Sequence, residues 1–186
     1  MTSEAFTRRL KERLYPEIYP TEIASAGEFE FVLRRSGASR STGFLGYSSE
    51  VSQDKPNDID VIMPGGRYVF ACRQVMGPLD RAGLRNMRGD ARRLARSIWF
   101  LRGAGLYLLV CGAKTHWRDA TQWARADRTG LHNIILQAIH FVDPETGATH
   151  LSQSAWGPFK FGRTNRVAEA VAAVLATPDA KLCGLE

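Results

Sequence analysis

The sequence predicts a single α+β domain, with residues 1–186 sharing one core around a mixed or mainly antiparallel sheet. Three observations carry this reading. Leu84, Met87, Ala91, Leu94, Ile98 and Leu101 recur at helical spacing, which predicts an amphipathic helix over about 81–103. Residues 106–110 (LYLLV) form a short continuous apolar run, as in a central strand covered on both faces. Turn-separated strand patterns near 58–73 and 136–153 read as two hairpins.

In chain order, Thr2 or Ser3 caps a first helix that places Phe6, Leu10 and Leu14 on one side, and Pro16 ends it. Residues 1–20 are therefore expected to be an N-terminal helix and a flexible arm. Residues 28–34 (EFEFVLR) alternate as a half-buried strand, and 36–41 form a turn. A short strand is expected at 43–47, followed by a polar loop over 48–57. The sequences DIDVIM (58–63) and RYVFACR (67–73), joined by Pro64, Gly65 and Gly66, give the first hairpin.

The helix over 81–103 follows, with a break expected at Gly89 and an end at Gly103 and Gly105. Residues 118–128 predict a short helix carrying Trp123. Residues 131–142 fit either period in their first half, and the turn at Asp143–Gly147 makes the remainder a hairpin with 148–153. A strand over 156–161 and a closing helix over about 165–177, stopped by Pro178, complete the chain.

The net charge of +6 is unevenly spread. Residues 67–128 hold twelve arginines and one lysine against four aspartates, a net +9, and the rest of the chain carries −3. Such a concentration attracts phosphate-bearing partners, nucleic acid above all. No apolar run approaches the roughly 18 residues of a membrane span, so no membrane partner is expected. Cys72, Cys111 and Cys183 are odd in number and lack a C-x-x-C pair, which argues against a disulfide framework and suits a cytoplasmic protein.

The basic residues fall into a pattern. Arg85, Arg88, Arg92 and Arg96 are spaced three and four apart and share one helical flank, with Arg81 a turn earlier. Arg93, Lys114 and Arg118 are auxiliary candidates, and Trp99, Tyr107, Trp117 and Trp123 offer stacking surfaces. The leading expectation is a non-enzymatic nucleic-acid-binding module or accessory protein with no cofactor. An assembly protein whose arginine face docks on an acidic protein partner is an alternative. Base-specific readout has no support, since neither zinc-finger spacing nor an aromatic RNA-recognition motif is present.

A second constellation is acidic. Gly46-Tyr47-Ser48 precedes Asp58-Ile59-Asp60-Val61, and carboxylates two apart on a strand share a face where a divalent metal can bind. This spacing resembles the signature of polymerase-β-like nucleotidyltransferases, with Tyr47 inserted in the Gly-Ser pair. The turn Cys111-Gly112-Ala113-Lys114-Thr115-His116 is similar to that of primase-type palms, one residue shorter. The resemblance covers these short motifs only. It implies a metal-dependent nucleotidyl-transfer enzyme with Asp58 and Asp60 as ligands, His116 or Lys114 near phosphate, and Asp143 as a third carboxylate.

Two weaker patterns remain. A hairpin closed at 143–147 sets His140 opposite His150, with His132 further along, and imidazoles on one face can bind a transition metal. Cys111 and His116 lie close enough in sequence for a thiol–imidazole pair, although no third group orients them.

Overall fold

The computed structural model describes residues 1–23, 27–35, 48–51, 59–62, 67–98, 104–126, 134–156, 159–161 and 164–177. A six-stranded mixed sheet organises them. Its strands are β1 (Thr21–Glu22), β2 (Phe31–Arg35), β5 (Tyr68–Gln74), β6 (Ala104–Cys111), β7 (Ile134–Asp143) and β8 (Ala148–Gln153), adjacent in that order. The three central strands β5, β6 and β7 are parallel, and the outer pairings are antiparallel. A second sheet holds β3 (Ser48–Val51), β4 (Ile59–Ile62), β9 (Ala155–Trp156) and β10 (Phe159–Phe161), in the order β3-β4-β10-β9.

Parallel neighbours require crossovers, and a sheet flanked by crossovers and terminal helices is buried on both faces. All eight residues of β6 are buried for this reason. On one face Tyr68, Phe70, Cys72, Tyr107, Leu109 and Cys111 pack against α1 (Ser3–Leu14) and α4 (Thr164–Ala176). The other face presents Val69, Ala71, Leu106, Leu108 and Val110 to α2 (Arg81–Ile98), the short α3 (Lys114–Trp117) and a 3-10 turn at Asp119–Trp123. A bulge between β6 and β7 shifts the alternation, so Leu136 and Ile139 share the α2 face although they stand three positions apart. The side chain of the bulged Gln137 lies over Gly105, where a Cβ would come within 2.2 Å of its Oε1.

The helices form as their sequences dictate. Thr2 caps α1 by accepting a hydrogen bond from the Ala5 amide at 3.2 Å, and Phe6, Leu10 and Leu14 are fully buried against the sheet. Asp80 starts α2: its Oδ1 accepts from the Gly83 amide at 2.7 Å. Leu84, Met87, Ala91 and Ala95 form the buried stripe of α2. That helix runs unbroken through Gly89, because about 1 kcal/mol of glycine penalty is small against the packing of its buried stripe. Among the described residues, no helix is long and apolar enough to cross a membrane.

Several expectations are corrected. The hairpin at 58–73 does not form: β4 pairs with β3 and β10, whereas β5 pairs with β2 and β6. A strand buried on both faces takes its partners from the main sheet rather than from its nearest neighbour in sequence. Part of the polar loop, Ser48–Val51, is strand. Gly105 lies inside β6 instead of ending the helix. The second hairpin is present, joining β7 and β8 across a turn with Gly147 at φ 72°. The strand expected at 43–47 lies outside the described residues.

Candidate nucleic-acid interface

The burial of α2 separates its arginines into two groups. Arg81, Arg85 and Arg96 are exposed and have no hydrogen-bond or ion-pair partner among the described residues. Arg88 and Arg92 lie on the same flank but nearer the apolar stripe; both are half-buried and already engaged within the protein. Arg93, on the outer side, is exposed and ion-paired with Asp90. The row legible in the sequence is therefore a real flank of one helix in which three guanidinium groups have no partner among the described residues.

Beside this helix lies the turn after β6. The Leu79 amide donates to the His116 carbonyl at 2.7 Å, and His116 Nδ1 is 3.4 Å from the Val75 carbonyl oxygen. These contacts tie α3 to the segment that leads into α2, so Lys114 and Arg118 stand near its N-terminal end. Lys114 is exposed, and its amide donates to Asp143 Oδ2 at 2.9 Å. Arg118 is exposed beside Asp119, its Nε 3.3 Å from Oδ1.

The stacking surfaces named from sequence belong mostly to the core. Tyr107 and Trp117 are buried, and Trp117 donates to the Gly112 carbonyl at 2.8 Å. Trp123 packs half-buried against the α2 core, and Trp99 lies outside the described residues. The exposed candidate residues of this surface are thus arginine and lysine rather than aromatic.

The acidic constellation divides. Asp60 stands in β4, in register with Glu50 on β3 and Lys160 on β10, and Asp58 lies outside the described residues. Asp143 is occupied structurally. Its carboxylate accepts from the amides of Lys114, Glu145 and Thr146 and from Thr146 Oγ1. Burial pushes its pKa up, but these hydrogen bonds outweigh burial and hold it below the ordinary carboxylate value.

His140 and His150 do not share a face. Asp143 pairs with Ala148, which sets His140 against Leu151 and His150 against Phe141, one residue out of step. His140 is buried with its Nδ1 2.8 Å from the Tyr107 hydroxyl, whereas exposed His150 lies over the Phe141 ring at 6.2 Å. Their opposite facing removes the metal pair expected from a symmetric hairpin. His132 lies outside the described residues. Among the described residues no cluster of three or more His, Cys, Asp or Glu suits a metal ion. Cys111 is buried on the α1 and α4 face, and burial pushes its thiol up to about 11, so it lacks the thiolate character of a nucleophile.

One charged group escaped the sequence reading. Arg73, the residue of β5 just beyond the buried run, points to the α2 face and is held between Glu28 and Asp90, with its Cζ 5.9 Å from the Phe29 ring centre. Asp90 also holds Arg93, so one carboxylate joins β5 to α2. The only sequence signal was that Asp90 interrupts an otherwise basic helix.

No family model, curated protein or solved structure matches the chain.

Proposed function

We propose that this protein is a non-enzymatic nucleic-acid-binding domain that contacts phosphate groups through α2. The observation that carries the reading is the exposed trio Arg81, Arg85 and Arg96, without partners among the described residues, in a region of net charge +9. An arginine already neutralised by a carboxylate has less to gain from a phosphate, and these three have no such competitor among the described residues. Fifteen residues of helix rise place the outer two about 22 Å apart, close to six or seven steps along a strand at 3.4 Å each. Lys114 and Arg118, at the adjoining end of α2, extend the same field. The interface reads backbone charge, and its affinity is governed by salt.

The test is fluorescence anisotropy with single- and double-stranded oligonucleotides across a salt series, comparing the native protein with the R81Q/R85Q/R96Q variant. Three lost phosphate contacts reduce the slope of log K against log salt by about 2 to 3, at roughly 0.7 to 0.9 each. A native protein that binds no oligonucleotide at low salt would falsify the reading.

A further inference from the structure

A cleft of about 680 Å³ opens between the carboxyl end of β5 and the outer side of α2. Its size falls within the range of small-molecule sites, roughly 300–1,000 Å³. Three kinds of group line it. Arg85 and Arg93 bring guanidinium groups from α2, Glu28 and Asp90 bring carboxylates, and Met76 and Leu79 bring apolar surface. Met76 is 81% exposed at the lip, a large apolar side chain left in water. Arg73 forms part of the lining, and its ion pairs with Glu28 and Asp90 hold those carboxylates in place.

Gly89 adds an independent observation. It occupies the middle of α2, where glycine weakens a helix. Its backbone is helical, and a Cβ built there would meet no heavy atom within 4 Å. Neither backbone conformation nor internal packing calls for a glycine at this position. Its open side lines the cleft, so the missing side chain leaves room for a ligand against the helix backbone.

We propose that this cleft seats one nucleotide of the bound strand. Its phosphate lies against Arg85, the one arginine of the lining without a partner among the described residues, and shares Arg93 with Asp90. Its hydroxyl or amino donors meet Glu28 and Asp90, and an apolar face of the base covers Met76 and Leu79. A simple anion uses only the guanidinium groups and leaves the carboxylates and the apolar lip without contacts. A nucleotide carries anion, donors and apolar surface together, which is the combination this lining complements. The proposal rests on the nucleic-acid reading of α2 and adds a discrete site to it.

The experiment is calorimetric titration of the full chain with adenosine monophosphate and with inorganic phosphate, using the native protein, Gly89→Leu and Met76→Glu. Leucine fills the space beside the helix. Glutamate at the exposed lip leaves the core untouched and repels the ligand, so a folding defect in the first variant does not spoil the test. The native protein binds the mononucleotide with a Kd of roughly 0.1 to 1 mM and inorganic phosphate at least about tenfold more weakly, and each variant loses about tenfold. Equal affinity for inorganic phosphate, no mononucleotide binding by the native protein, or binding that both variants retain overturns the proposal. Oligonucleotide binding by an R81Q/R96Q variant separates the two readings, since neither residue lines the cleft. Mononucleotide binding without oligonucleotide binding keeps the cleft and overturns the α2 reading. Oligonucleotide binding without mononucleotide binding does the reverse.

Discussion

The Tyr107 hydroxyl on β6 lies 2.8 Å from Nδ1 of His140 on β7, and both side chains are buried. Burial, aided by the charge of His150, lowers the His140 pKa from 6.5 to about 4. The unfolded chain therefore takes up this proton first as pH falls. Stability linked to His140 is complete above pH 6.5 and is lost between 6.5 and about 4, by about 3 kcal/mol at 1.36 kcal/mol per pKa unit. Urea unfolding at pH 7, 5.5 and 4.5 checks this. Native stability falls across the series, and His140→Gln flattens the dependence.

Asp143 titrates in a lower window. Its folded pKa is held below the ordinary 3.8, so its contribution is present above that value and lost as pH falls through the folded pKa. One of its four hydrogen bonds, from the Lys114 amide, fastens the start of α3 to the β7–β8 turn, and the other three close the turn itself. Asp143→Ala orphans these donors and costs about 3 kcal/mol at neutral pH. Asp143→Asn, which keeps one acceptor oxygen, costs less. Denaturant midpoints at pH 7 measure the difference.

Helices α1, α2 and α4 and the β7–β8 hairpin were legible because each is set by local pattern, such as the Leu84, Met87 and Ala91 stripe or the turn from Asp143 to Gly147. The short α3 (Lys114–Trp117) and the 3-10 turn at Asp119–Trp123, where a helix over 118–128 was expected, were not. Nor was the pairing of β5. Its Tyr68-Phe70-Cys72 and Val69-Ala71 faces are both buried, and a strand of that kind takes its neighbours through long-range packing that no short window contains. The arginine row was legible as a flank of α2. Spacing gives direction but not depth, so it did not separate engaged Arg88 and Arg92 from exposed Arg85 and Arg96. The cleft escaped for a related reason, since it joins Glu28, Arg73 and Asp90 from three distant segments.

Two glycines respond oppositely to the same substitution. Gly89→Ala adds a methyl group to open space in a helix and raises stability by about 1 kcal/mol, or roughly 2 to 4 °C in Tm. Gly105→Ala drives a Cβ to within 2.2 Å of Gln137 Oε1 in a fully buried strand. Moving the Gln137 side chain disturbs the bulge and lowers stability by about 1 to 3 kcal/mol. Calorimetric melting of the two variants distinguishes them by sign.

The arginines of α2 divide between exposed and internally engaged groups. R81Q/R85Q/R96Q removes charge from exposed groups without partners among the described residues, so Tm shifts little while oligonucleotide affinity and its salt slope drop. R88Q/R92Q removes half-buried groups that are already engaged within the protein, and the expected order reverses. Stability falls by about 1 to 2 kcal/mol, because packing of the long stems and existing contacts are lost together. The salt slope changes by less than about 1, since these guanidinium groups contribute little to phosphate neutralisation. Melting curves and a salt series on both variants check the division. Equal slope losses in the two would mean that binding draws on the whole flank, and that Arg88 and Arg92 leave their internal contacts to reach the strand.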